Sequence, residues 1–135
     1  MSRHLLLLPA PEGEWARLPP EEHEKGMHSH EQFHHDLRED GHTLVLASPL
    51  TPSAAAVSLR PDGQGGVLVT DGPFTESVEQ VVGFYLVETD DRAGLLHLCE
   101  QFAARGELIE FRDLVGDDEH DHDVAAEGAG VAAPS

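Results

Sequence analysis

Apolar positions recur along this chain with two different periods, and the change of period divides it into strands and helices. Residues 4–8 read His-Leu-Leu-Leu-Leu, a short run of the kind found in a strand covered on both faces. Pro19-Pro20 before Glu21 and Glu22 predicts a helix start, because proline fits the first turn and acids favour its positive end. Met27, His30, Phe33, His34 and Leu37 then repeat at helical spacing and are expected to share one inward face. Asp40-Gly41 predicts the stop, with Gly41 free to adopt the left-handed cap. Gly26, inside this helix, costs about 1 kcal/mol against alanine.

Strand-like runs follow at residues 43–47, 55–59 and 66–70. The last two flank a Pro61-Asp62-Gly63 turn and so predict a hairpin. Asp71-Gly72-Pro73 opens a loop, and residues 81–87 form a near-continuous apolar strand. Asp90 or Asp91 can cap a second helix, with Leu95, Leu98, Cys99 and Phe102 inward and Gly106 at its end. Residues 108–115 predict the last strand, with Ile109 and Phe111 on one face. The order β-α-β, hairpin, β-α-β points to an α+β fold: a ferredoxin-like split βαβ with an inserted β-hairpin. Two helices cover only one face of such a sheet. Residues 81–87 are nevertheless apolar on both, with Val82, Phe84 and Leu86 opposing Val81, Tyr85 and Val87. A second copy of the chain is the expected cover, giving a homodimer. A monomer with a tail folded over the sheet is the alternative.

The 135 residues suit one domain, expected over 1–115. Residues 116–135 read as an acidic, histidine-containing tail that cannot bury a core and is expected to be disordered, with at most weak metal binding. The formal net charge of −18 repels phosphate backbones and anionic lipids, so neither nucleic acid nor membrane is an expected partner. The eight Lys and Arg are scattered singly. Cys99 is the single cysteine, which excludes an intramolecular disulfide and fits a reducing cytoplasm. The run at residues 5–8 is too short for a signal-peptide core or a transmembrane span.

At residues 69–86 the chain reads Val-Thr-Asp-Gly-Pro-Phe-Thr-Glu-Ser-Val-Glu-Gln-Val-Val-Gly-Phe-Tyr-Leu. This closely resembles the DGPF signature of YCII-related proteins. The order of motifs agrees too: a strand, Glu14-Trp15 and Leu-Pro-Pro-Glu-Glu at residues 18–22 precede the histidine-bearing helix. The resemblance covers roughly residues 4–115. It implies a bacterial ferredoxin-like dimer of the dimeric α+β barrel type and a His/Asp-centred site without a general reaction. It also implies relatives linked to sigma factors or to the breakdown of aromatic compounds. By position, His30 matches the family histidine and Asp71 the motif aspartate. Val78 stands where the family usually carries Lys, and Val82 where it often carries Gly.

On this reading His30 is the general acid or base, and Asp71 orients it and stabilises its cation. Asp71 also has a plain turn role, bonding backbone amides two residues on. Gly72, Pro73 and Phe74 shape the loop, and Glu79 and Tyr85 border the pocket. No phosphate loop or dinucleotide fingerprint occurs, so no cofactor is implied. The expected partner is a small-molecule ligand, handled by isomerase- or lyase-like proton transfer. A non-catalytic accessory module linked to sigma-factor systems is the competing reading. His30-Glu31-Gln32-Phe33-His34 is also a literal H-E-x-x-H. A zinc site there needs a third ligand, and the extended motif fails at Leu37 and Asp40. Adventitious metal binding through His30 and His34 stays open.

Overall fold

The computed structural model describes residues 1–115, so the expectations for 116–135 lie outside the described residues. The elements run β1 (Ser2–Pro11), α1 (Glu14–Arg17), α2 (Pro20–Glu39), β2 (Thr43–Pro49), β3 (Val57–Pro61), β4 (Val67–Asp71), β5 (Glu79–Thr89), α3 (Arg92–Ala104) and β6 (Glu110–Asp113). A four-stranded antiparallel sheet has the order β2-β5-β1-β6, and β3 and β4 pair separately. β1 and β2 flank β5, which is compatible with the ferredoxin-like split β-α-β.

Both long helices pack on one sheet face. There Leu6, Leu8, Tyr85 and Val87 meet Phe33 and Leu37 of α2 and Leu95, Leu98, Cys99 and Phe102 of α3. Phe33 and Phe102 stack with centroids 4.4 Å apart, and this contact joins the two helices. The opposite face presents Leu5 against Leu86 and Leu7 against Phe84 in direct register, all half-buried. Leu46, also opposite Leu86, is exposed.

Several expectations change in detail. Met27 is 60% exposed and does not belong to the inward face of α2, which narrows to Phe33 and Leu37 with His30 and His34 at its edge. β1 and β5 each run longer than their apolar runs, because their ends pair with each other from Ser2–Thr89 to Pro11–Glu79. The last strand shortens to four residues, all of them paired with β1. A one-turn helix, α1, was not expected. Gly13, at φ 91°, turns the chain off β1, and the ring of Trp15 then lies over Gly26. A Cβ at position 26 would meet that ring at 2.8 Å, so the helix glycine makes room for a tryptophan.

Asp91 is the residue that caps α3, accepting from the Gly94 amide at 2.9 Å. In the hairpin, Asp62 accepts from the amides of Gln64 and Gly66 at 2.7 and 3.0 Å. At the far end of β1, buried His4 bridges Ser2 Oγ (3.0 Å) and Asp113 Oδ1 (2.7 Å). Arg92 holds the same carboxylate through Nε and Nη2. Ser2 donates its proton to the Thr89 carbonyl, so the trio braces strand ends and presents no nucleophile to His4.

Candidate acid–base site

The functional cluster grows from the edge of the inward face of α2. His30 and His34 are one helical turn apart, so both rings project toward the same spot on the sheet. Tyr85 of β5 fills that spot: its side chain points to the helix-covered face and is 3% exposed. The phenol oxygen lies 2.7 Å from His30 Nδ1 and 2.9 Å from His34 Nε2. His30 stacks parallel to the Tyr85 ring and edge-on to Phe102, and His34 meets Tyr85 edge-on. On its other side His30 Nε2 faces Glu107 Oε1 at 3.1 Å.

Donor and acceptor counts assign the protons. A carboxylate opposite His30 Nε2 favours the proton on that nitrogen, which leaves Nδ1 as an acceptor for the Tyr85 O–H. The phenol oxygen then accepts the Nε2–H of His34, and His34 Nδ1 keeps its lone pair. Every polar atom between Glu107 and His34 is used in this order. Burial, and then the charge on Glu107, push the Tyr85 phenol above its ordinary range, so it stays a proton donor. Burial, and then the positive charges of His30 and Arg38, hold His34 below the ordinary imidazole value, while Glu31 opposes this.

The expected dyad is not what the fold assembles within one chain. The carboxylate at His30 is Glu107, not Asp71. Asp71 ends β4 in the separate two-stranded sheet, opposite Val57, and its side chain makes no hydrogen bond or ion pair among the described residues. Gly72, at φ 103°, serves the loop: its amide bonds to the Ala56 carbonyl, and its own carbonyl accepts from buried Ser58. Pro73 follows half-buried, and Phe74 is 65% exposed with the Arg60 guanidinium over its ring. Glu79 is exposed and begins β5 opposite Pro11. Of the expected site residues the structure therefore joins His30, His34 and Tyr85, with His34 on the phenol, and adds Glu107.

Glu107 escaped the sequence reading because it lies between the helix stop and the strand. Gly106, at φ 114°, turns the chain back there, and the acid after it is half-buried. The signal was an acid directly after a helix-ending glycine. The H-E-x-x-H pair converges on a phenol. No group of three or more His, Cys, Asp or Glu side chains suited to hold a metal occurs among the described residues.

These features define a small α+β protein whose helix-covered sheet face carries a phenol held between two imidazoles. The family model of the YCII-related domain matches residues 3–112, and the chain belongs to that family. It is also similar to the uncharacterized protein R00369 of Rhizobium meliloti (strain 1021), 49% identical over 39 residues. That match covers 29% of this chain and spans 31% of the relative's length. No helix among the described residues is long and apolar enough to cross a membrane.

Proposed function

We propose that this protein moves a proton to or from a small-molecule ligand, with His34 meeting the ligand and Tyr85, His30 and Glu107 behind it. The observation that carries this reading is the placement of one buried phenol between two imidazoles. His34 spends only Nε2 on that network. Its Nδ1 is left as a base that stays neutral near neutral pH, the state a general base requires. His30 is a positioning residue here, its orientation set by Glu107 on one side and Tyr85 on the other. Isomerase- or lyase-like chemistry needs no more than such a base and a fixed acid.

The test is solvent deuterium incorporation into a panel of enolisable carbonyl compounds. His34→Gln is expected to lower the rate by about 10²–10⁴, whereas Asp71→Asn leaves it unchanged. Equal rates for wild type and His34→Gln would overturn the assignment. The relay has its own readout in nitrogen-detected NMR of the rings. Both His30 and His34 are expected as Nε2–H tautomers, and Tyr85→Phe is expected to release them.

The protein is also proposed to act as a homodimer through the face bearing Leu5, Leu7, Leu46, Phe84 and Leu86. These side chains form a continuous apolar strip on the side opposite the helices. Sedimentation of wild type as a dimer, and of Leu46→Asp as a monomer, is the expected result; a monomeric wild type would refute it.

A further inference from the structure

Beside the histidine–tyrosine cluster, at the C-terminal end of α2, lies a cavity of about 560 Å³ lined by His34, Arg38, Gly41, His42, Thr43 and Leu44. It is an open groove on the surface, with a volume in the range of small-molecule sites. Its composition is opposite to that of the chain. Asp and Glu number 26 against eight Lys and Arg, yet this lining has a guanidinium, two imidazoles and no carboxylate. Four of the other cations have acid partners, Arg3 with Glu88, Lys25 with Glu22, Arg92 with Asp113 and Arg112 with Glu110, while Arg105 bonds Ser29 and Arg60 lies over Phe74. Arg38 makes no ion pair among the described residues.

His42 supplies an independent observation. The Gly41 cap, at φ 79°, turns the chain so that the His42 amide bonds to the Leu37 carbonyl and the residue is buried to 4% exposure. His42 Nδ1 lies 2.7 Å from Thr89 Oγ1, which also accepts the Asp91 amide. Among the described residues the Thr89 hydroxyl proton has no other acceptor, which assigns it to Nδ1 and the imidazole proton to Nε2. That Nε2 is buried without a hydrogen-bond partner among the described residues. A residue of the lining thus carries, just beneath the surface, a covered donor in need of an acceptor.

We propose that this cavity binds the carboxylate of a small organic acid, paired with Arg38 and placed beside His34. The proposal deepens the proton-transfer reading and rests on it for the role of His34. A guanidinium fork matches a carboxylate in charge and shape. A second ligand oxygen would take the His42 Nε2–H; that atom is covered, so the bond forms with a small turn of the ring. Leu44 gives the ligand's carbon skeleton an apolar wall.

The test is an NMR titration of the intact chain with benzoate and succinate, against benzamide and succinamide as uncharged isosteres. The carboxylates are expected to shift the His34 and His42 ring signals, and the amides are not. Arg38 is exposed, so Arg38→Met should fold normally. It is expected to bind benzoate at least about tenfold more weakly, with Arg38→Lys in between. Amides binding as well as acids, unchanged affinity in Arg38→Met, or no ring shifts with either acid would each overturn the proposal. The ring tautomers in Tyr85→Phe are read separately. A released tautomer with no carboxylate binding refutes the ligand class and leaves the relay intact. Arg38-dependent binding with unchanged tautomers refutes the relay and leaves the ligand class intact.

Discussion

Replacing Tyr85 by Phe removes one oxygen atom and tests the centre of the network. The ring's packing against Phe33 and Phe102 survives, because phenylalanine keeps the same edge-on contacts at 5.1 and 6.1 Å. Two hydrogen bonds are lost, those to His30 and His34. A neutral hydrogen bond contributes about 0.5–1.5 kcal/mol net, so the pair is worth about 1–3 kcal/mol. The larger penalty for stranded buried groups is not expected in full. The His30 side chain is 37% exposed, so its freed nitrogen can find water. Urea denaturation read by linear extrapolation should show the unfolding free energy falling by this amount, through a lower midpoint at an unchanged slope, since the surface exposed on unfolding barely changes. A loss of under about 0.3 kcal/mol, well below one net hydrogen bond, would mean that the phenol is not bonded as described. A changed slope would mean that the variant altered more than the network.

The remaining expectations concern acid, thiol and helix. His34 is held below 6.5 in the folded chain, so the unfolded chain takes up that proton first as pH falls. Stability should therefore decline as pH drops through about 6.5, and His34→Gln should flatten that segment of the denaturation-midpoint profile; parallel profiles would contradict it. Burial, and then the charge on Glu100, push the Cys99 thiol up to about 12. Stoichiometric alkylation at neutral pH should then need denaturant, and rapid labelling of the native protein would refute the burial. Gly26→Ala gains about 1 kcal/mol of helix propensity but must displace Trp15, which also stacks on His23 at 4.4 Å. The single tryptophan should shift its emission with no full gain in stability; an unshifted spectrum and the whole gain would show that the ring does not lie there.

Local signals were legible wherever a residue's role depends on its neighbours in sequence. Proline at the start of α2, Gly41 at its end, Asp91 before α3 and the Asp62 turn all act within a few residues. Hydrophobic period likewise marked Leu95, Leu98, Cys99 and Phe102 as the inner face of α3, and all four are buried. His30 was found by its place on the α2 stripe and by family resemblance. Its partner was not, because the choice between Asp71 and Glu107 depends on which turn ends beside the helix in space. Both acids adjoin a glycine of positive φ, and nothing in the local pattern ranks them.

By itself the sequence determined the longer elements, the inward face of α3, the strongly acidic composition and membership of the YCII-related family. Tertiary structure alone decided that the hairpin pairs apart from the main sheet, carrying Asp71 with it, and that β5 places a phenol under two imidazoles. It also decided that the Gly41 cap brings His42 and Arg38 together, neither the His42 Nε2 nor the Arg38 guanidinium being paired among the described residues. The physical reason is range. Caps, turns and periodicity are set by atoms a few residues apart, whereas a site joins α2, β5 and the α3–β6 turn, whose meeting depends on how the whole core closes.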